Sequence, residues 1–249
     1  MIQLKDFSIG YGSKTLFDRV TTSFRRGELT ALIGRNGTGK STMLRAMAGL
    51  NHHYSGEILL DGKNIAFLLP EEQAKMLSFV TTERTRIPNL RCEDVVAIGR
   101  APYTNWIGRM QELDREKVME AIRLVGMESY ARRTMDTMSD GECQRIMIAR
   151  ALAQDTPSIL LDEPTSFLDL PSRYELVSLL HSLAHDKGKS ILYSTHELGV
   201  ALRLCDNIAL IDNGMLYNLP VKDMVASGHV ERLFHIPGLT LKDLGIETL

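Results

Sequence analysis

Gly34-Arg35-Asn36-Gly37-Thr38-Gly39-Lys40-Ser41-Thr42 decides how the rest of the chain is read. A glycine, four free positions and then Gly-Lys-Ser is the pattern of a phosphate-binding loop. Its setting agrees. Leu29-Thr30-Ala31-Leu32-Ile33 before it reads as a buried strand, and Thr42 to Ala48 after it reads as a helix. The glycines let the backbone turn tightly and bring its N–H groups against phosphate oxygens. The following helix points the positive end of its dipole at the same anion. Lys40 can place a full charge at the β- and γ-phosphates, and the Ser41 hydroxyl can hold Mg²⁺. All nine residues are candidates for contact with a nucleoside triphosphate.

Composition narrows the setting. The chain has 249 residues, 44% hydrophobic and 24% charged, as an ordinary soluble protein does. That length suffices for a large α/β domain or two modest ones. A formal net charge of −2 argues against a nucleic-acid binder, which usually carries a basic face. No apolar run approaches the ~18 residues needed to span a bilayer, and the start of the chain lacks signal-peptide character. The expectation is a cytosolic protein whose membrane role, if any, comes through a partner. Cys92, Cys143 and Cys205 are scattered without metal-type spacing and read as reduced thiols.

Outward from the loop, Ile2–Ile9 and Phe17–Phe24 alternate apolar and polar residues as half-buried strands do. Gly56–Leu60 reads as a strand running into the Asp61-Gly62 turn, and Met76–Val80 as a short buried strand. From about Cys92 to Arg133 the pattern becomes helical, with Val118, Ala121, Ile122 and Val125 at helical spacing and Pro102 as an interruption. Ser158–Glu163 is a buried strand ending in two carboxylates, and Glu175–Ala184 an amphipathic helix. Ser190–Thr195 and Asp206–Ile211 are further strands, the first followed by His196. Strands alternating with helices predict a parallel sheet covered by helices.

Ligands of open α/β sheets collect at the carboxyl ends of the strands. The loop, the Asp162-Glu163 pair and His196 all fall at such ends. Asp162 suits a Mg²⁺ carboxylate. Glu163, next in the chain, is expected on the other side of the strand, where it could polarise an attacking water. His196 is placed to sense the γ-phosphate and fix that water.

With these residues assembled, the chain resembles the ATP-binding subunit of an ABC transporter over nearly its full length. Met138-Ser139-Asp140-Gly141-Glu142 resembles the signature loop, and Asp162-Glu163-Pro164-Thr165 the Walker B end. Ser166-Phe167-Leu168-Asp169 resembles the D-loop and Thr195-His196-Glu197 the switch segment, while Tyr11 falls where the family stacks a ring on adenine. The resemblance implies an α/β fold of the P-loop NTPase class: a RecA-like core with an antiparallel β subdomain and an α-helical subdomain. It implies a single ATPase domain over 1–249, with the helical part at roughly 87–155 and a C-terminal extension at roughly 220–249. It further implies ATP and Mg²⁺ as ligands, with Glu163 and His196 catalytic. A head-to-tail dimer is implied, in which Ser139, Gly141 and Glu142 of one copy complete the ATP site of the other. The partners are polytopic permease subunits and, indirectly, a substrate-binding protein, at the cytoplasmic face of the membrane. Val96–Tyr103, Trp106–Arg109 and Asp114 resemble the subgroup serving iron–siderophore, haem and cobalamin importers, in the region where a permease helix docks.

Three positions depart from the family. Thr82 stands where the Q-loop glutamine is usual, with Glu83 beside it; either Glu83 takes that contact to Mg²⁺ or a water bridges from Thr82. Asp140 replaces a signature glycine and must point away from phosphate or cap the helix. Glu142 replaces a glutamine. Two other readings stand beside the importer ATPase: a soluble ABC-type ATPase acting on nucleic acid or ribosomes, and a phosphate-loop kinase. The first usually carries paired cassettes or a long coiled coil, and the second has no use for the Ser139 loop.

Overall fold

Strand β1 (Ile2–Tyr11) pairs antiparallel with both β2 (Lys14–Phe24) and β4 (Tyr54–Leu60), and β4 turns through Asp61-Gly62 into β5 (Lys63–Asn64). This gives a four-stranded sheet in the order β2-β1-β4-β5. Between β2 and β4 the chain leaves it to form β3 (Leu29–Gly34) and helix α1 (Lys40–Met47). This computed structural model describes residues 1–11, 14–83, 87–104 and 110–234.

The chain continues through α2 (Pro70–Met76), β6 (Leu77–Val80), α3 (Cys92–Ala97), a 3₁₀ turn at Ile98–Tyr103, α4 (Glu112–Leu124) and α5 (Asp140–Ala153). Then come β7 (Ser158–Leu161), α6 (Leu170–Lys187), β8 (Ser190–Ser194), α7 (Leu198–Leu204), β9 (Asn207–Asp212), β10 (Met215–Pro220), α8 (Val221–Ala226) and α9 (His229–Phe234). The second sheet has six strands in the order β10-β9-β3-β8-β7-β6. All neighbours in it are parallel except the β10 edge, which folds back on β9.

Side-chain alternation on this sheet divides the interior into two cores. Leu29, Ala31, Ile33, Ile159, Leu161, Ile191, Tyr193, Ile208 and Leu210 face one way, into α3–α9. Leu32, Leu160, Leu192, Ala209 and Ile211 face the other way, onto α1 and the antiparallel sheet. The first core runs without a break into Val95, Val96, Val118 and Ile122 of the helical segment. Burying each such side chain stabilises the fold by ~1.5–3 kcal/mol.

Boundaries differ from the sequence reading in instructive ways. Met76 ends α2, so the strand begins at Leu77. Helix α2 has no buried residue, so apolar periodicity cannot signal it; Pro70 at its start and Glu72, which accepts the Leu69 N–H at 3.0 Å, do. Helix α6 begins five residues before Glu175, capped by Asp169, whose Oδ1 accepts the Ser172 N–H at 3.1 Å. Strand β7 stops at Leu161, leaving Asp162 and Glu163 beyond it. Trp106–Arg109 and the tail from 235 lie outside the described residues, and so does the side chain of Tyr11.

Candidate active site

Strand order explains the convergence. Strands β6, β7, β8 and β3 are consecutive neighbours, so their carboxyl ends bring Thr82, Asp162-Glu163, His196 and the phosphate loop to one edge. Helix α1 opens at Lys40 with Gly39 in the left-handed conformation (φ 101°) and no side-chain cap, so its first-turn N–H groups face outward for an anion. A Cβ at Gly39 would lie 2.9 Å from the Phe17 ring, so glycine is required there twice over. An open cleft of about 970 Å³ lies along Arg35–Thr38 and the β9–β10 turn, beside the loop but away from the carboxylates.

Lys40 is buried, and its Nζ donates to the carbonyls of Gly34 at 2.9 Å and Arg35 at 3.4 Å. Burial lowers its pKa, and the facing charges of Glu163 and Asp162 oppose that shift.

Asp162 is 1% exposed, and its Oδ1 accepts from the Ser194 hydroxyl at 2.6 Å. The same hydroxyl oxygen accepts the Glu163 N–H at 2.9 Å, so one β8 residue positions both acids. Glu163 has a φ of +48°. It does not alternate to the opposite strand face as the sequence reading expects, because the strand has already ended and the backbone turns left-handed. That turn costs ~1–2 kcal/mol for a non-glycine residue, and such strain gathers at functional sites. It delivers Glu163 Oε1 to His196 Nε2 at 2.7 Å, while Oε2 accepts from the Ser166 hydroxyl at 3.1 Å.

The departures from the family pattern now have positions. Thr82 donates its hydroxyl to the Asp162 carbonyl at 3.1 Å. The exposed Glu83 carboxylate is engaged by Arg45 of α1 at 2.8 Å. Ser139 caps α5: its hydroxyl accepts the Glu142 N–H at 3.3 Å, and Glu142 Oε2 accepts the Ser139 N–H at 2.7 Å and its hydroxyl at 2.9 Å. Asp140 is the first residue inside the helix, so the capping role offered for it belongs to Ser139. A Cβ at Gly141 would lie 3.0 Å from the Phe167 carbonyl, which packs the start of α5 on the following loop of the same chain.

Sequence reasoning missed Ser194, which the run Ser190–Thr195 presented as one more strand residue. It also missed Arg173, whose Nε donates to the Leu168 carbonyl at 2.8 Å while its Nη1 pairs with Glu197. No local pattern marks a helix residue that bridges two loops.

Comparison with known proteins bears on this geometry. The ABC transporter family model matches residues 17–166. The chain belongs to the ABC transporter ATP-binding family. An uncharacterised ABC transporter ATP-binding protein of Methanocaldococcus jannaschii is 43% identical over 86% of this chain and 73% of its own length. The ferric enterobactin transport ATP-binding protein of Escherichia coli is 32% identical over 96% of this chain and 89% of its own. Among solved structures, a dimeric ATP-binding cassette in a post-hydrolysis state with ADP and Pi superposes with a TM-score of 0.77. It is 27% identical and covers 89% of this chain and 99% of that one. The fold is that of an ABC ATPase, and the protein is a nucleotide-binding, ATP-hydrolysing member of that family. Among the described residues, no helix is long and apolar enough to cross a membrane.

Proposed function

We propose that this ABC ATPase powers an importer of an iron–siderophore, haem or cobalamin, working as a head-to-tail dimer on permease subunits at the cytoplasmic face of the membrane. The observation that carries the hydrolytic part is the Glu163–His196 contact of 2.7 Å beside buried Asp162 and Lys40. The loop N–H groups and Lys40 hold the triphosphate, Lys40 exchanging the Gly34 and Arg35 carbonyls for phosphate oxygens. Ser41 and Asp162 are the residues that would hold Mg²⁺, with Thr82 beside them. Their hydroxyl and carboxylate oxygens fit a hard cation, which would neutralise phosphate charge there.

Glu163 orients the attacking water and takes its proton. His196 and Ser166 each engage one of its oxygens and leave each a further lone pair for the water. Site closure turns His196 to the γ-phosphate. Ser139 and Gly141 of a second copy close the site from the other side. Glu83, tied to Arg45, reports on the loop helix rather than on the metal.

Support for a transport role comes from the ferric enterobactin relative, and the net charge of −2 argues against a nucleic-acid partner. Exposed Phe67, Leu69, Ile98 and Tyr103 flank α2 and offer apolar surface to a permease. The test is Glu163→Gln, which should retain ATP binding and lose ~10²–10⁴-fold in turnover. Turnover at the wild-type rate would remove Glu163 as the base. Co-purification with a multi-helix membrane protein tests the transport reading separately.

A further inference from the structure

A second cluster of ligand-type side chains lies at the opposite end of the six-stranded sheet, where β3 and β9 begin. His181 and His185 stand one turn apart on α6 with their rings stacked at a centroid distance of 4.2 Å. His185 Nε2 lies 3.1 Å from both carboxylate oxygens of Asp206. One donor atom from each of the three residues falls within 4.8 Å of the others. Asp206 is itself oriented, because its Oδ2 accepts the Leu29 N–H at 2.8 Å.

We propose that His181, His185 and Asp206 form a binding site for a borderline transition-metal ion, with Zn²⁺ the best match. Two imidazoles at i and i+4 on one helix face, with a carboxylate from a second element, give three convergent donors and leave a fourth position for water. Zinc–nitrogen bonds of about 2.0–2.1 Å need the donors somewhat closer together than they stand. His185 is exposed and the other two are half-buried, so side-chain rotation can supply that movement. The bland alternative, a His185–Asp206 hydrogen bond with a stacked neighbour, gives His181 no part in holding α6. A shared ion uses all three residues.

The donor set also separates this site from the nucleotide site. Mg²⁺ prefers oxygen ligands and an octahedron, whereas two imidazoles favour zinc, cobalt or nickel. A cation here also complements the C-terminal end of the α6 dipole. Helix α6 is capped by Asp169, close in the chain to Ser166 and its bond to Glu163, and its last turn carries His185. An ion at this site would pin the far end of that helix to the base of β9.

The experiment titrates metal-free protein with Zn²⁺ against a chromophoric chelator, with Co²⁺ absorption as a probe of coordination. Other histidines, including adjacent His52 and His53, make the difference between variants the readout. The expected result is one tight equivalent in the wild type, unaffected by excess Mg²⁺ and absent from the His181→Asn, His185→Asn double variant. Asp206→Asn keeps an acceptor for Leu29 and should weaken the site by on the order of tenfold or more. His181→Asn alone gives the same reading should the double variant fold poorly. Identical isotherms for wild type and variant would overturn the proposal. So would a wild-type protein that takes up no zinc at tens of micromolar.

Discussion

Ser194 shows how much of an active site can rest on one small side chain. Its hydroxyl donates to Asp162 and accepts from the Glu163 backbone, so it sets the proposed metal carboxylate and the proposed base together. Ser194→Ala should leave the Glu163 N–H without its partner and lower stability by ~1–3 kcal/mol. Turnover should fall by up to ~100-fold through misplacement of the two acids. Denaturant unfolding and steady-state ATPase assays check the two parts. A second prediction concerns Glu142, held below the ordinary carboxylate range first by the Ser139 backbone N–H and then by the Tyr130 hydroxyl. A depressed pKa stabilises the fold above the ordinary value of about 4.3, and that contribution is lost as pH falls through the folded value. Glu142→Gln keeps an acceptor for Ser139 but removes the charge. It should cost under about 1 kcal/mol at neutral pH because the carboxylate is mostly solvated. The gap between variant and wild type should close below about pH 4, as pH-dependent unfolding would reveal. At this scale the sequence named Asp162, Glu163 and His196 from strand ends. The left-handed turn at Glu163 was hidden because no residue type announces it.

Among elements, the segment after β6 shows a motif with a structural role that resemblance alone does not show. The run Val96–Tyr103 with Asp114 resembles an importer subgroup in a docking region. Arg100 and Asp114 in fact form an internal clasp: Nε to Oδ1 at 3.0 Å, Nη1 to the Ala153 carbonyl at 2.7 Å, both side chains 6% exposed. Asp114 Oδ2 also accepts the Gln111 N–H at 2.9 Å and caps α4. The clasp thus fastens the 3₁₀ turn, α4 and the end of α5 together. Asp114→Ala should destabilise the chain by ~3–5 kcal/mol, because the Arg100 charge stays buried without its partner. Thermal unfolding of the purified variant tests this, and a loss of less than about 1 kcal/mol would show the pair to be dispensable. Spacing could not distinguish this buried clasp from a docking surface, since burial of a charged pair depends on elements far apart in the chain. Helix α2 was illegible for the opposite reason: it has no fully buried residue, so little periodicity is imposed on it.

In the whole molecule, the parallel sheet aligns four strand ends, and α5 carries a second cradle that its own chain does not use in the proposed cycle. Strand order was the least legible feature of the sequence, because it arises from crossovers; only the rule that ligands gather at carboxyl ends made the site readable. Arg173 extends the site by joining the Leu168 carbonyl to Glu197 of the switch segment. A partner seated on the Ser166–Asp169 loop would therefore be felt at His196. The decisive prediction follows from Ser139, whose observed cap role and proposed role at a partner's phosphate can be separated. As a helix cap it contributes ~0.5–2 kcal/mol, and Ser139→Ala should lose that amount. Ser139→Asp keeps a capping side chain but places a carboxylate where the partner's phosphate would sit. In a Glu163→Gln background with MgATP, the parent should elute as a dimer in size-exclusion chromatography, while both Ser139 variants remain monomeric. Stability should fall only for the alanine, and nucleotide affinity of the monomer should be unchanged in both. Retention of the dimer by Ser139→Asp would show that the phosphate does not lie against this cradle, and the head-to-tail arrangement would have to be abandoned.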